Sequence, residues 1–157
     1  MAGTITIVRE TRIDPRFPLS RRELTELISL ILEALGLSDD SMEIKLVDDR
    51  EISRLNESFM GCVGPTNVLS FPAEEEAQEG RAYLGSLAMS VDALARESAL
   101  YDQPPVLHLA RLLAHGILHL AGHDHGDAMY DLTDVAVDHV EAMYMLETGD
   151  EVNSGTS

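Results

Sequence analysis

His115 and His119 stand four residues apart in the run His115-Gly116-Ile117-Leu118-His119-Leu120-Ala121-Gly122-His123-Asp124-His125. On a helix that spacing puts both imidazoles on one face, about 6 Å apart along the axis. Gly122 suits a left-handed helix terminus, which turns the chain and brings His125 within reach. Three imidazoles converging on one point leave the fourth position of a tetrahedral zinc ion for water, the arrangement of catalytic rather than structural zinc. One Zn2+ held by His115, His119 and His125 is therefore expected, with nickel or iron as the alternatives that imidazoles also serve. Such an ion lowers the pKa of its water toward about 7 and polarises a bound oxygen.

The spacing H-x3-H-x2-G-x2-H is shared with the metzincin peptidases, but their general base is a glutamate directly after the first histidine. Here that position is Gly116. A glycine inside a helix costs about 1 kcal/mol against alanine, so it implies either room for a substrate or a close backbone approach. His123, one step past Gly122, is a competing ligand but reads as a loop side chain at the rim. Asp124 either orients a ligand imidazole or caps the following helix. His108 lies two turns before His115 and reads as a core or rim residue. His139, in an acidic helix, reads as ordinary packing or surface.

The elements that must position these side chains follow from periodicity. Thr4 to Arg9 alternates as a strand, and Ser20 with Glu23 forms a capping box for a helix through Leu24, Leu27, Ile28, Ile31, Leu32 and Leu35. Met42 to Val47 is a second strand. Asp48 or Asp49 then caps a short helix ending near Phe59. Asn67 to Phe71 and Tyr83 to Ser90 are further strands, with a solvated acidic loop, Ala73 to Gly80, between them. Val91 to Tyr101 is helical. Pro104-Pro105 opens the histidine-bearing helix, which is apolar almost all round and should be central and buried. A last helix runs from about Asp127 to Glu147. The order implies an α+β fold: a small mixed four-stranded sheet packed with about five helices, with the three-histidine site on the central one. Residues 1–147 are expected to form a single metal-dependent hydrolase domain, and 148–157 a disordered acidic tail.

Composition narrows the functional classes. The net charge is −17, which argues against a general nucleic-acid binder because Lys and Arg supply most phosphate affinity. The charge is uneven, however. From His123 onward there are nine acidic residues and no Lys or Arg, whereas the first 22 residues carry Arg9, Arg12, Arg16, Arg21 and Arg22 against Glu10 and Asp14. The single cysteine, Cys62, excludes an internal disulfide and fits a reducing cytoplasm. It reads as an ordinary loop thiol. No run approaches the roughly 18 apolar residues of a membrane span, so no membrane is expected as a partner, and the net charge speaks against DNA.

From about Met42 to Glu147 the chain resembles the YbeY family of bacterial metal-dependent endoribonucleases. The resemblance rests on His115 through Asp124 to His125, which matches H-G-x-L-H-L-x-G-x-D-H. It rests also on Pro65-Thr66-Asn67-Val68-Leu69-Ser70-Phe71-Pro72, and on Leu46-Val47-Asp48-Asp49, Glu51-Ile52 and Leu55-Asn56. It implies a single-strand-specific zinc endoribonuclease acting in 16S rRNA 3′-end maturation and ribosome quality control, cytoplasmic, with RNA and the ribosome or its proteins as partners. Two positions depart from the family pattern. Met60 stands where family members typically place an arginine, and Ser86 where they place an aspartate. The catalytic group beyond a metal-bound water is left open, with Arg54 and Arg50 as weak substitutes for the missing arginine. The alternatives are a ribosome-associated assembly factor with structural zinc and little turnover, and a metallopeptidase.

Overall fold

The computed structural model describes residues 3–11, 19–61, 67–74, 82–100, 105–123 and 126–156. Four strands form one sheet: β1 (Ile5–Arg9), β2 (Ser41–Val47), β3 (Val68–Pro72) and β4 (Tyr83–Ser90), in the spatial order β1-β2-β4-β3. β1, β2 and β4 are parallel, and β3 runs antiparallel to β4 at one edge. Five α-helices accompany them: α1 (Arg21–Ala34), α2 (Asp49–Leu55), α3 (Val91–Leu100), α4 (Pro105–Leu120) and α5 (Asp127–Thr156). The mixed four-stranded sheet and the helix count agree with the expectation. The backbone of α5, however, continues past the end anticipated at Glu147. Nothing in Thr148 to Thr156 is a proline, so no residue there removes a donor from the helical ladder.

Local chemistry accounts for the element boundaries. Ser20 accepts from the Glu23 amide at 3.1 Å while Glu23 accepts from the Ser20 amide at 3.0 Å, the reciprocal cap expected for α1. Asp48, not Asp49, caps α2, accepting from the Glu51 amide at 2.8 Å. The expected helix to Phe59 is made in two parts, because α2 gives way to a π turn over Asn56–Met60. Such turns are rare and concentrate at functional surfaces.

Strand alternation divides the core. Met42, Ile44 and Leu46 of β2 and Leu87 and Met89 of β4 face α1, α4 and α5, where they meet Leu24, Ile28, Leu113 and Ile117. The opposite face carries Val47, Leu69 and Ala88, covered by Ile52 of α2. A bulge between Ser41 and Glu43 shifts the register against β4. Beside it Gly85 has φ +127°, and a Cβ there would lie 2.3 Å from the Phe71 carbonyl oxygen. Only glycine fits that crossing.

Candidate functional site

α4 lies over β3 and β4, and its contacts fix which way each side chain points. Gly116 faces the sheet: a Cβ there would sit 3.0 and 3.3 Å from the two Leu87 methyl carbons and 3.4 Å from a Val68 methyl. Ser70 of β3 donates its hydroxyl to the Gly116 carbonyl at 3.3 Å. The glycine therefore serves close approach of helix to sheet and opens no space for a substrate. Arg111 points elsewhere, pairing with Asp134 of α5 at 3.0 Å. At about 100° per residue, His115 and His119 occupy the flank between those two faces, next to the edge strand. Both are half-buried.

Their rings lie 5.1 Å apart, centre to centre, at 84°. Two imidazoles on one tetrahedral ion with metal–nitrogen bonds of about 2.0–2.1 Å have ring centres roughly 5 Å apart. The donor set and its spacing therefore suit a shared ion. α4 ends as expected at Gly122, whose φ is +95°. Its amide reaches the His119 carbonyl at 3.1 Å, and the His123 amide reaches the Leu118 carbonyl at 3.0 Å. This pair of bonds is the Schellman motif. It makes His123 part of the helix cap through its backbone, with its side chain exposed. The chain then returns, for Tyr130 in the first turns of α5 lies 6.2 Å from His115, ring to ring, tilted by 37°.

His125 and Asp124 lie outside the described residues. Among the described residues no group of three His, Cys, Asp or Glu side chains could hold an ion. Two of the three anticipated ligands are thus brought together. Cys62 and most of the acidic loop after Ala73 also lie outside the described residues.

His108 has a structural partner that sequence reading missed. It is largely buried and donates to Glu97 of α3 at 2.8 Å, while the other Glu97 oxygen accepts from the Asn67 side-chain amide at 3.2 Å. Asn67 also accepts from the Ser90 amide through its carbonyl at 2.9 Å. One carboxylate thereby ties α3, α4 and the start of β3 together, two turns before His115. His139 is half-buried, and its Nε2 has no hydrogen-bond partner among the described residues.

The arginine candidates are placed on the other side of the sheet. Arg54 forks onto Glu51 within α2, with Nε 3.1 and 3.2 Å from the two carboxylate oxygens. That pairing lowers the carboxyl pKa of Glu51 and raises that of the guanidinium. Arg50 is exposed on the same helix. The two positions that depart from the family pattern share this far side: Met60 ends the π turn beside Phe59, and Ser86 lines the same cavity as Phe59. Asp49 is held by Arg96 and by the Ser90 hydroxyl at 2.8 Å. The Arg96 hydrogen bond, first, and that of Ser90 outweigh burial and keep its carboxyl below the usual range.

Sequence and structure comparisons bear on the family and the fold. The family model described as Endoribonuclease YbeY matches residues 11–137. A relative named Endoribonuclease YbeY from Oleidesulfovibrio alaskensis is 44% identical, over 83% of this chain and 88% of its own length. Another of that name, from Nitratidesulfovibrio vulgaris, is 40% identical over 73% of this chain and 80% of its own. The solution structure of TM1509 from Thermotoga maritima superposes with a TM-score of 0.61 at 25% identity, covering 93% of this chain and 95% of that one. No helix among the described residues is long and apolar enough to cross a membrane.

Proposed function

We propose, for a chain that belongs to the YbeY endoribonuclease family, that it is a zinc-dependent endoribonuclease specific for single-stranded RNA. Its proposed role is 16S rRNA 3′-end maturation and ribosome quality control, in the cytoplasm and in contact with the ribosome or its proteins. The observation that carries the reading is the His115–His119 pair, 5.1 Å apart on the half-buried flank of a helix whose sheet-facing side is buried. His115, His119 and His125 would hold the ion. The return of the chain from the Gly122 turn to Tyr130 beside His115 supports the third ligand. When bound, zinc supplies a water of lowered pKa and Lewis-acid stabilisation of negative charge on phosphoryl oxygen.

The chain's own residues do the positioning. Apolar packing of Leu113, Ala114, Ile117 and Leu118 locks α4, so the two imidazoles are presented by a rigid helix. The Ser70–Gly116 bond and the Asn67–Glu97–His108 chain fix β3 along that helix at two levels. Tyr130 stands on one side of His115, 6.2 Å away ring to ring.

Gly116 weighs against the peptidase alternative. Its position points into Leu87 and Val68, so a glutamate placed there would be buried in the core and not directed at a substrate. The deciding experiment offers the protein a single-stranded ribosomal RNA fragment, the same fragment as a duplex, and an unstructured peptide, each with and without chelator. Chelator-sensitive cutting of the single strand alone is expected, and it should vanish in His119→Ala. Binding of zinc with no turnover of any RNA would instead favour the assembly-factor reading.

A further inference from the structure

Most of the sheet surface is covered, but one strip is not. α2 and its π turn shield Val47, Leu69 and Ala88 on the face away from α4. They leave Lys45, Ser86 and Phe71 only partly buried beside it. Phe59, projected from the π turn, is 64% exposed. It meets Phe71 edge-to-face, centroids 5.4 Å apart at 80°. The pair lines one wall of a cavity of about 230 Å³, bounded further by Leu55, Lys45, Ser86 and Ala88. The contact with Phe71 uses one part of the Phe59 ring, and the rest of this large apolar side chain stands in solvent beside a preformed apolar hollow.

We propose that this hollow is a stacking site for one unpaired nucleobase of the RNA strand, an assignment that rests on the endoribonuclease reading above. Its size sets the occupant: it falls below the roughly 300 Å³ at which drug-sized ligand pockets begin, which leaves space for one ring system. It is far too small to seat a helix or a second copy of the chain. Its chemistry is that of a base. The exposed Phe59 ring offers a π surface, and every base has a complementary one. The Lys45 ammonium, loosely paired with Glu43 at 3.9 Å, and the Ser86 hydroxyl, 3.4 Å from the Tyr83 hydroxyl, offer polar atoms at the rim.

Its charge agrees. Lys45 faces Glu43, and Arg54 faces Glu51, so the rim is near neutral and offers little to a phosphate. A chain of net charge −17 cannot draw RNA by charge in bulk, so affinity for the strand has to come from short-range contacts such as stacking. Its location agrees too. Phe71 follows Ser70 on the edge strand, and Ser70 is bonded to Gly116 between the two histidines. A single strand of RNA passing over that edge would meet the histidines on one side and the aromatic pair on the other.

The test is equilibrium binding of a short 2′-O-methyl single-stranded RNA carrying one 2-aminopurine, followed by anisotropy and by quenching of the base. Phe59→Ala should weaken binding about 5- to 150-fold, the range of one lost base–aromatic stack, and abolish the quench. Phe59→Tyr should restore both. Removing the base, by an abasic nucleotide at the quenched position, should weaken wild-type binding and leave Phe59→Ala unaffected. Affinity should fall by only about threefold for a fourfold rise in salt, per phosphate held. Equal binding and equal quenching by wild type and Phe59→Ala would overturn the proposal, as would an abasic strand bound as tightly as the intact one. If wild type cuts RNA while either result is found, the stacking site alone is refuted. If wild type neither binds nor cuts RNA, the functional reading falls and takes the stacking site with it.

Discussion

Replacing Gly116 with alanine tests how closely the histidine helix is seated on the sheet. Helix propensity alone favours alanine by about 1 kcal/mol. Against that, the new methyl would lie 3.0 Å from one Leu87 methyl carbon and 3.3 Å from the other, with Val68 at 3.4 Å. Leu87 is fully buried, so its methyls must shift by a few tenths of an ångström against packed neighbours to admit the new one. Overpacking of this kind costs about 1–3 kcal/mol. The expected net is a loss of about 1 kcal/mol, or roughly 3 °C in Tm for a chain of this size. Urea unfolding should read it as a lower midpoint at unchanged slope. Leu87→Ala supplies the control. Alone it should cost about 2–5 kcal/mol, but in that background Gly116→Ala should become stabilising by about 1 kcal/mol, because the methyl then fills the space Leu87 vacated. If Gly116→Ala stabilises the wild type, or if its effect adds to that of Leu87→Ala within about 0.5 kcal/mol, the helix is not held at that distance.

Three further outcomes are expected. Gly85→Ala places a Cβ against the Phe71 carbonyl at a φ of +127°, so it should cost about 2–3 kcal/mol; a urea midpoint within experimental scatter of wild type would show that the β3–β4 crossing is misplaced. His139→Leu removes a buried nitrogen with no partner among the described residues, so thermal unfolding should show equal or greater stability, and a loss above about 1 kcal/mol would reveal a partner. Asp49 has a depressed carboxyl pKa, so the unfolded chain binds the proton more readily. Its contribution is then present above its unfolded value of about 3.9 and is lost as pH falls through the folded one. Asp49→Asn should cost up to about 1 kcal/mol at pH 7 and should show a shallower decline of stability below about pH 4. Parallel curves for the two proteins would remove Asp49 from the acid response.

What could be read from the chain depended on the range of the interaction. The Ser20–Glu23 box, the apolar stripe of α1 and the Gly122 terminus are local devices whose partners lie within a few residues, and each forms as its spacing indicates. The flank shared by His115 and His119 is equally a matter of helical period. The orientation of Gly116 was not legible, because close approach and substrate room are distinguished only by what stands opposite, and Leu87 and Val68 come from other strands. The Asn67–Glu97–His108 chain joins residues 30 and 11 positions apart, and no periodicity marks it. Tyr130 carried no signal in an acidic helix. The π turn was hidden inside a helix expectation, since it is the last turn before the Gly61 cap and no further turn of that helix reveals the shift of phase. The Arg54–Glu51 pair, by contrast, is local and its i, i+3 spacing was open to reading in the sequence.

The most direct test of the central claim is a zinc titration of the metal-free protein, with bound metal and cutting of a single-stranded RNA measured on the same samples. Cleavage should rise in proportion to bound zinc and saturate at about one ion per chain, as a single three-histidine site requires. His115→Ala and His119→Ala should each bind little zinc and cut no RNA. Cleavage that is complete without metal, or that survives in both variants, would contradict the assignment of these histidines as the reactive centre.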